Sequence, residues 1–199
     1  MRDTPGSALD LHIAVLLRAL VPYRRLSYEE GLFYAEQQAS IFVKLVYVLE
    51  PPVAIERLVS EVGLAVAIKD DPLQPVPGQS TLDQANGDWT ITLNMNPGSA
   101  DRGFVVAHEI KHILDHGFGA TLYRPVDVMT AHQRKEHVAD YFATCLLMPR
   151  LWVERCWRRS AHSVEELAHR FGVSPARMWL RLEALALLET VDDSLDSSA

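Results

Sequence analysis

The sequence predicts an α+β fold, mainly helical with a small three-stranded sheet. Helical patterns occupy residues 9–62, three short strand-like runs fall within 64–94, and helical patterns return from 101 to 189. The clearest strand is Trp89-Thr-Ile-Thr-Leu-Asn94, whose strict alternation marks a half-buried ribbon. A hydrophobic share of 48% over 199 residues suffices for one sizeable core, or a core with a small appended module.

Taken in order, residues 1–8 read as a loose arm and 9–20 as a short helix ended near Pro22. Ser27, with Glu30 three positions on, fits a capping box that opens a helix from Tyr28 to Leu49, stopped by Pro51-Pro52. A helix over Val53–Val62 ends at Gly63, a residue suited to the left-handed C-terminal position. Leu64–Ile68 reads as a buried strand, 71–78 as a loop and Ser80–Leu82 as an edge strand. Asn86-Gly87 turns the chain into the alternating strand. After a loop at Asn96–Ser99, a helix is expected over Asp101–His116 and another from about Ala131 to Met148, stopped by Pro149, with 117–132 irregular between them. The remainder to 189 is helical, broken at Gly172. The chain thus divides into an N-terminal helical lead (1–50), a core (51–150), C-terminal helices (151–189) and an acidic, Ser-rich tail (190–199) expected to be disordered.

The formal charge of −7 gives no global basic character for coating nucleic acid. The two cysteines, Cys145 and Cys156, are too few for a disulfide framework and form no Cys-x-x-Cys pair. They read as buried thiols in a reducing compartment. No secretory signal is recognisable at the N-terminus, and no run approaches the ~20 apolar residues of a membrane span. A cytoplasmic protein is expected.

The chemistry concentrates in Val105-Val-Ala-His108-Glu109-Ile-Lys-His112. Histidines four apart share one face of a helix, about 6 Å apart along its axis, and can converge on one zinc ion. Glu109 is then placed as the general base for the attacking water. A third ligand must come from elsewhere. Glu136, 24 positions after His112 and on the next helix, is the best candidate. Asp140, one turn beyond, could hold the other ring nitrogen of a ligand histidine. His116 competes, although another turn along it would lie ~12 Å from His108, and His132 is a further alternative. Tyr123, His132 and Tyr141 are candidate donors to the oxyanion of an attacked carbonyl, with nothing in the sequence to choose among them. Manganese or iron would suit the same nitrogen and oxygen ligands.

These motifs resemble the ImmA/IrrE family of bacterial and phage zinc metallopeptidases. The likeness runs over roughly residues 28–188 and is carried by Pro52–Gly63, by Ile91–Asn94 with Arg102–His112, and by Glu136-His-Val-Ala-Asp-Tyr-Phe-Ala-Thr-Cys-Leu-Leu-Met-Pro149. It implies a zincin-like core, one zinc ion held by His108, His112 and Glu136, and Glu109 as the catalytic glutamate. It also implies a protein substrate, a helix-turn-helix transcriptional repressor whose cleavage switches on stress-response or mobile-element genes. Relative to the family, the chain is expected to lack the sensor-like extra domain of some members and to carry a longer N-terminal lead, for partner binding or regulation. Alternatives are an antirepressor or DNA-binding regulator that does not cleave, and an effector protease with another target.

Residues 164–182 have helix-turn-helix spacing, with Ala168, Gly172 at the turn and Ser174 as cap of the second helix. In a DNA-binding reading Arg177 and Arg181 would reach the duplex. Glu165, Glu166, Glu183 and the acidic tail favour packing or substrate docking instead. Trp152, Trp157 and Trp179 read as core or interhelix anchors.

Overall fold

The computed structural model describes residues 12–94, 99–125, 129–159 and 163–188. The expected arm, the first turn of the first helix, the loop residues 96–98 and the acidic tail lie outside them. The elements run α1 (His12–Ala19), α2 (Tyr28–Leu45), α3 (Ile55–Glu61), β1 (Val66–Asp70), β2 (Gly78–Leu82), β3 (Trp89–Leu93), α4 (Arg102–Leu114), α5 (Gly119–Leu122), α6 (Ala131–Leu147), α7 (Arg150–Arg159), α8 (Val164–Phe171) and α9 (Pro175–Ala184). The α+β expectation holds.

The capping box at α2 forms as read. Ser27 Oγ accepts from the Glu30 N–H, and the Glu30 carboxylate accepts from the Ser27 N–H. An unforeseen second box, Thr130 with Gln133, opens α6. α2 ends at Leu45, four residues before the expected limit. Gly63 and Gly172 both adopt positive φ, 74° and 66°, as the breaks after α3 and α8 require.

The sheet has the order β1-β3-β2, with β1 parallel and β2 antiparallel to β3. β3 is central and alternates as expected, with Trp89, Ile91 and Leu93 buried. The expectation of a buried strand near Leu64–Ile68 is corrected. β1 begins at Val66, has one neighbouring strand among the described residues, and buries none of its five residues fully. The bonds Asn94 N–H to Pro77 O and Asp83 N–H to Asp88 O set the phase of the β2–β3 ladder. In that phase Gly78, Ser80 and Leu82 turn their main-chain N–H and C=O groups away from β3, toward the edge of β2 that pairs with no other strand among the described residues.

A single hydrophobic cluster runs from α1 to beyond α9. α6 lies in its middle, packed between α2 and α4. Buried polar groups fix these helices. Arg134 of α6 donates to the carbonyls of Arg124 (2.7 Å) and Leu26 (3.1 Å). Arg18 donates to the Ile113 and Leu114 carbonyls, satisfying the end of α4. Within α4, Lys111 pairs with Asp115 at 2.6 Å, both side chains almost fully buried, and Tyr123 donates its hydroxyl to the other Asp115 oxygen. Burial next to Asp115 pushes the Tyr123 hydroxyl well above its usual pKa, so it stays a donor.

Trp152 and Trp157 pack against the core as expected, whereas Trp179 is 45% exposed. No helix among the described residues is long and apolar enough to cross a membrane.

Tyr123→Phe removes one of the Asp115 donors and leaves a buried carboxylate oxygen unpaired. Urea unfolding should show a loss of about 1–3 kcal/mol with an unchanged m-value. A loss within experimental scatter would mean that the hydroxyl does not hold α4 in place.

Candidate metal centre

α4 and α6 each contribute a pair of residues one helical turn apart. On α4, His108 and His112 have ring centroids 4.6 Å apart and planes at 87°. On α6, Glu136 faces both rings, with Oε2 at 3.2 Å from His108 Nε2 and Oε1 at 3.3 Å from His112 Nε2. Asp140, the next residue along that face, lies with Oδ1 2.8 Å from His108 Nδ1. Asp140 thereby accepts a hydrogen bond from Nδ1–H, which keeps the proton on that nitrogen and leaves Nε2 directed at Glu136. Buried Glu109 completes the group, and one donor atom from each of His108, Glu109 and His112 lies within 4.8 Å of the others.

The chemistry of this donor set fits a divalent cation. Four-coordinate zinc with bonds of about 2.0–2.1 Å separates neighbouring ligand atoms by ~3.3 Å, which matches the contacts of Glu136 with both imidazoles. Neutral Nε2 lone pairs facing carboxylate oxygens would repel one another unless a cation or a proton lay between. In the metal-free protein a proton takes that place. Burial lowers the pKa of His108, but hydrogen bonds to Asp140 and then Glu136 outweigh it and raise the group to about 9. Glu136 is driven far below the usual carboxylate range by His108 and then His112. His112 Nδ1 is buried without a hydrogen-bond partner among the described residues.

The site lies in an open cleft of about 730 Å³ between β2, α4, α6 and the start of α9. Of the alternative ligands, His132 enters the cleft with Nδ1 3.6 Å from Glu136, its side chain 80% exposed. His116 does not take part. α4 has ended by Leu114, and the His116 ring packs edge-on against Trp89 with centroids 5.0 Å apart. Of the three candidate oxyanion donors only His132 lines the cleft. The Tyr123 hydroxyl is committed to Asp115 behind α4, and the Tyr141 hydroxyl donates to Glu36 at 3.1 Å.

Sequence reading missed other parts of the cleft wall. Gly78 starts β2 so close to α4 that a Cβ there would come within 2.3 Å of Val105 Cγ1 and 3.4 Å of Glu109 Cγ. Its only sequence signal was a glycine after Pro77, read as loop. Arg177, assigned to DNA in the binding reading, instead stacks over Phe104 and donates to Asp101 at 2.8 Å. Ser174 occupies the N-cap position of α9, yet its hydroxyl bonds Asp101 rather than capping its own helix. Arg181 is buried, with Nε donating to the Met148 carbonyl. Both arginines therefore face the fold.

These shifts fix how the metal-free protein responds to pH. His108, raised above its unfolded value of 6.5 to about 9, contributes stability that is complete below 6.5 and lost as pH rises through about 9. Glu136, lowered from 4.5, contributes stability that is present above 4.5 and lost as pH falls through its folded value. These are two views of one ion pair and are not summed. The melting temperature of chelator-treated protein should peak between about 4.5 and 6.5 and decline toward pH 9. His108→Gln should flatten the alkaline decline, and an equally steep decline in that variant would assign it to another group.

Comparison with known proteins places this geometry. A family model described as the IrrE N-terminal-like domain, Peptidase_M78, matches residues 59–183. A solved structure described as a Mycobacterium tuberculosis transcriptional regulator is similar in fold, with a TM-score of 0.55 at 17% identity. That match covers 86% of this chain and 51% of the other, so the chain spans about half the length of that protein. No curated protein matches the chain. With the family match extending over more than half of its length and taking in α4, α6 and the cleft between them, the chain belongs to the ImmA/IrrE family, Peptidase_M78.

Proposed function

We propose that the protein is a cytoplasmic zinc-dependent endopeptidase that cleaves a protein substrate, a DNA-binding repressor. The observation that carries this reading is the convergence of His108 Nε2 and His112 Nε2 on Glu136, with Glu109 beside them in an open cleft.

In this reading His108, His112 and Glu136 hold the ion, because the Glu136 oxygens lie within 3.3 Å of both imidazole Nε2 atoms, and Glu109, within 4.8 Å of the same histidines, serves proton transfer. A bound zinc ion supplies Lewis acidity, polarising a carbonyl and making water a better acid. Glu109 takes the proton from the attacking water and delivers it to the leaving nitrogen. Asp140 keeps His108 in the tautomer whose Nε2 lone pair faces inward. His132, at the cleft rim, is the donor placed to meet the developing oxyanion.

The wall of the cleft suits a peptide. Gly78 and Ser80 border the site with main-chain groups that β3 leaves unpaired, and an extended substrate can add to β2 as a further strand. Such a segment must be unfolded or loosely held, which favours an interdomain linker of a repressor over its folded core. The competing reading, a regulator that binds without cutting, leaves Glu109 without a role.

Purified protein should contain about one equivalent of zinc, lost or much reduced in His112→Ala and retained in Glu109→Gln. Unchanged metal content in His112→Ala would overturn the ligand set. Incubated with repressors encoded beside its gene, the wild type should release discrete fragments, and Glu109→Gln should be slower by about 10²–10⁴-fold. Equal behaviour of the two proteins would favour the non-cleaving regulator, and fragments from some other protein alone would favour an effector protease. Zinc binding at pH 7.5 should also release about one proton from His108, seen as a buffer-dependent heat in calorimetry.

A further inference from the structure

A second cavity, of about 400 Å³, lies between the second half of α2, the end of α6, the start of α7 and α9. Its lining shares no residue with the metal cleft. The volume falls within the ~300–1,000 Å³ typical of small-molecule sites.

Its floor carries an unusual group. Arg181 is only 2% exposed, and while its Nε donates to the Met148 carbonyl, its Nη2 is buried without a hydrogen-bond partner among the described residues. A guanidinium cannot shed its charge, and among the described residues the neutral Cys145 thiol, a weak acceptor, is the neighbour that meets it on the cavity side, with no carboxylate paired to it. Arg134, the other buried arginine, places both terminal nitrogens on carbonyls and leaves only its inner Nε without a partner among the described residues, whereas in Arg181 it is a terminal nitrogen that is left over. The one carboxylate lining the cavity, Glu36, is already occupied by the Tyr141 hydroxyl at 3.1 Å and by Arg150 at 3.9 Å. Lys44 and Arg150 add positive charge at the rim, so the lining holds three cations to one anion. The Cys145 thiol beside Arg181 is pushed up by burial and stays neutral.

The walls are apolar. Val43, Val48 and Trp152 form the sides, and Leu49 and Leu151 flank the mouth with 78% and 74% of their surface exposed. Two leucines open to water around a cationic recess match a ligand with an apolar body and an acidic head.

We propose that this cavity binds a small organic anion, its carboxylate on Arg181 and its apolar body between Val43, Val48, Leu151 and Trp152. The site is independent of the peptidase reading. Because Cys145 lies on α6, the helix that carries Glu136 and Asp140, an occupant would touch the same rigid element as the metal centre.

The test uses the full chain and sodium octanoate, kept below its micellar range, with 1-octanol and octylamine as uncharged and cationic counterparts, read by calorimetry and tryptophan fluorescence. Octanoate should saturate one site, and the two counterparts should bind at least tenfold more weakly. Arg181→Met should weaken octanoate at least tenfold, and Ser40→Trp, which fills the cavity from the half-buried face of α2, should abolish binding. If Arg181→Met fails to fold, Lys44→Glu on the exposed rim should still weaken octanoate several-fold. Absence of saturable octanoate binding, equal affinity for octanol, or unchanged binding in Ser40→Trp would each overturn the proposal.

Discussion

The register between α4 and α6 is the constraint on which the site depends. Each helix presents two residues one turn apart, and the pairs interlock, so that Glu136 meets both Nε2 atoms while Asp140 meets the outer nitrogen of His108. A slide of either helix by one residue rotates its side chains by about 100° and separates all four groups at once. The buried polar contacts are arranged against such a slide. Arg18 grips the last carbonyls of α4, Lys111 and Tyr123 hold Asp115 just beyond, and Arg134 ties α6 to the chain segments leading into α2 and out of α5. A hydrophobic interface alone would resist sliding less, because apolar contacts are tolerant of direction.

The opposite end of α4 is held by the C-terminal helices. Asp101 receives both the Ser174 hydroxyl and the Arg177 guanidinium, and Arg177 also covers Phe104. The helix-turn-helix spacing therefore serves here to brace the first turn of the helix that carries the motif. Local sequence features are the same for either use of that spacing. What separates them is where the arginines point, which depends on residues some 76 positions away.

This contrast explains how much was legible in the sequence. His108, Glu109 and His112 are readable because their relation is set by helical period alone, and Glu136 with Asp140 because the same period recurs on a second helix. The α+β class, the Ser27 capping box and the alternating strand are equally local. Burial of β1 was misread because an apolar run does not say how many neighbours a strand will have. Tyr123 and Tyr141 could be named as donors only for want of knowledge about their partners, Asp115 and Glu36, the latter 105 positions from Tyr141. The orphaned end of Arg181 was invisible for the same reason. An absent partner can be recognised only after all the present ones are in place.

Gly78 carries a consequence of its own. With no room for a methyl group between β2 and Val105, the strand sits at its distance of closest approach to α4. A side chain at this position would displace either the Val105 methyl or the strand itself, and both line the cleft. The identity of residue 78 and the shape of the cleft wall are thus coupled. A homologue with alanine or serine at this position would have a differently shaped channel, and with it a different tolerance for the bulk of the chain it admits.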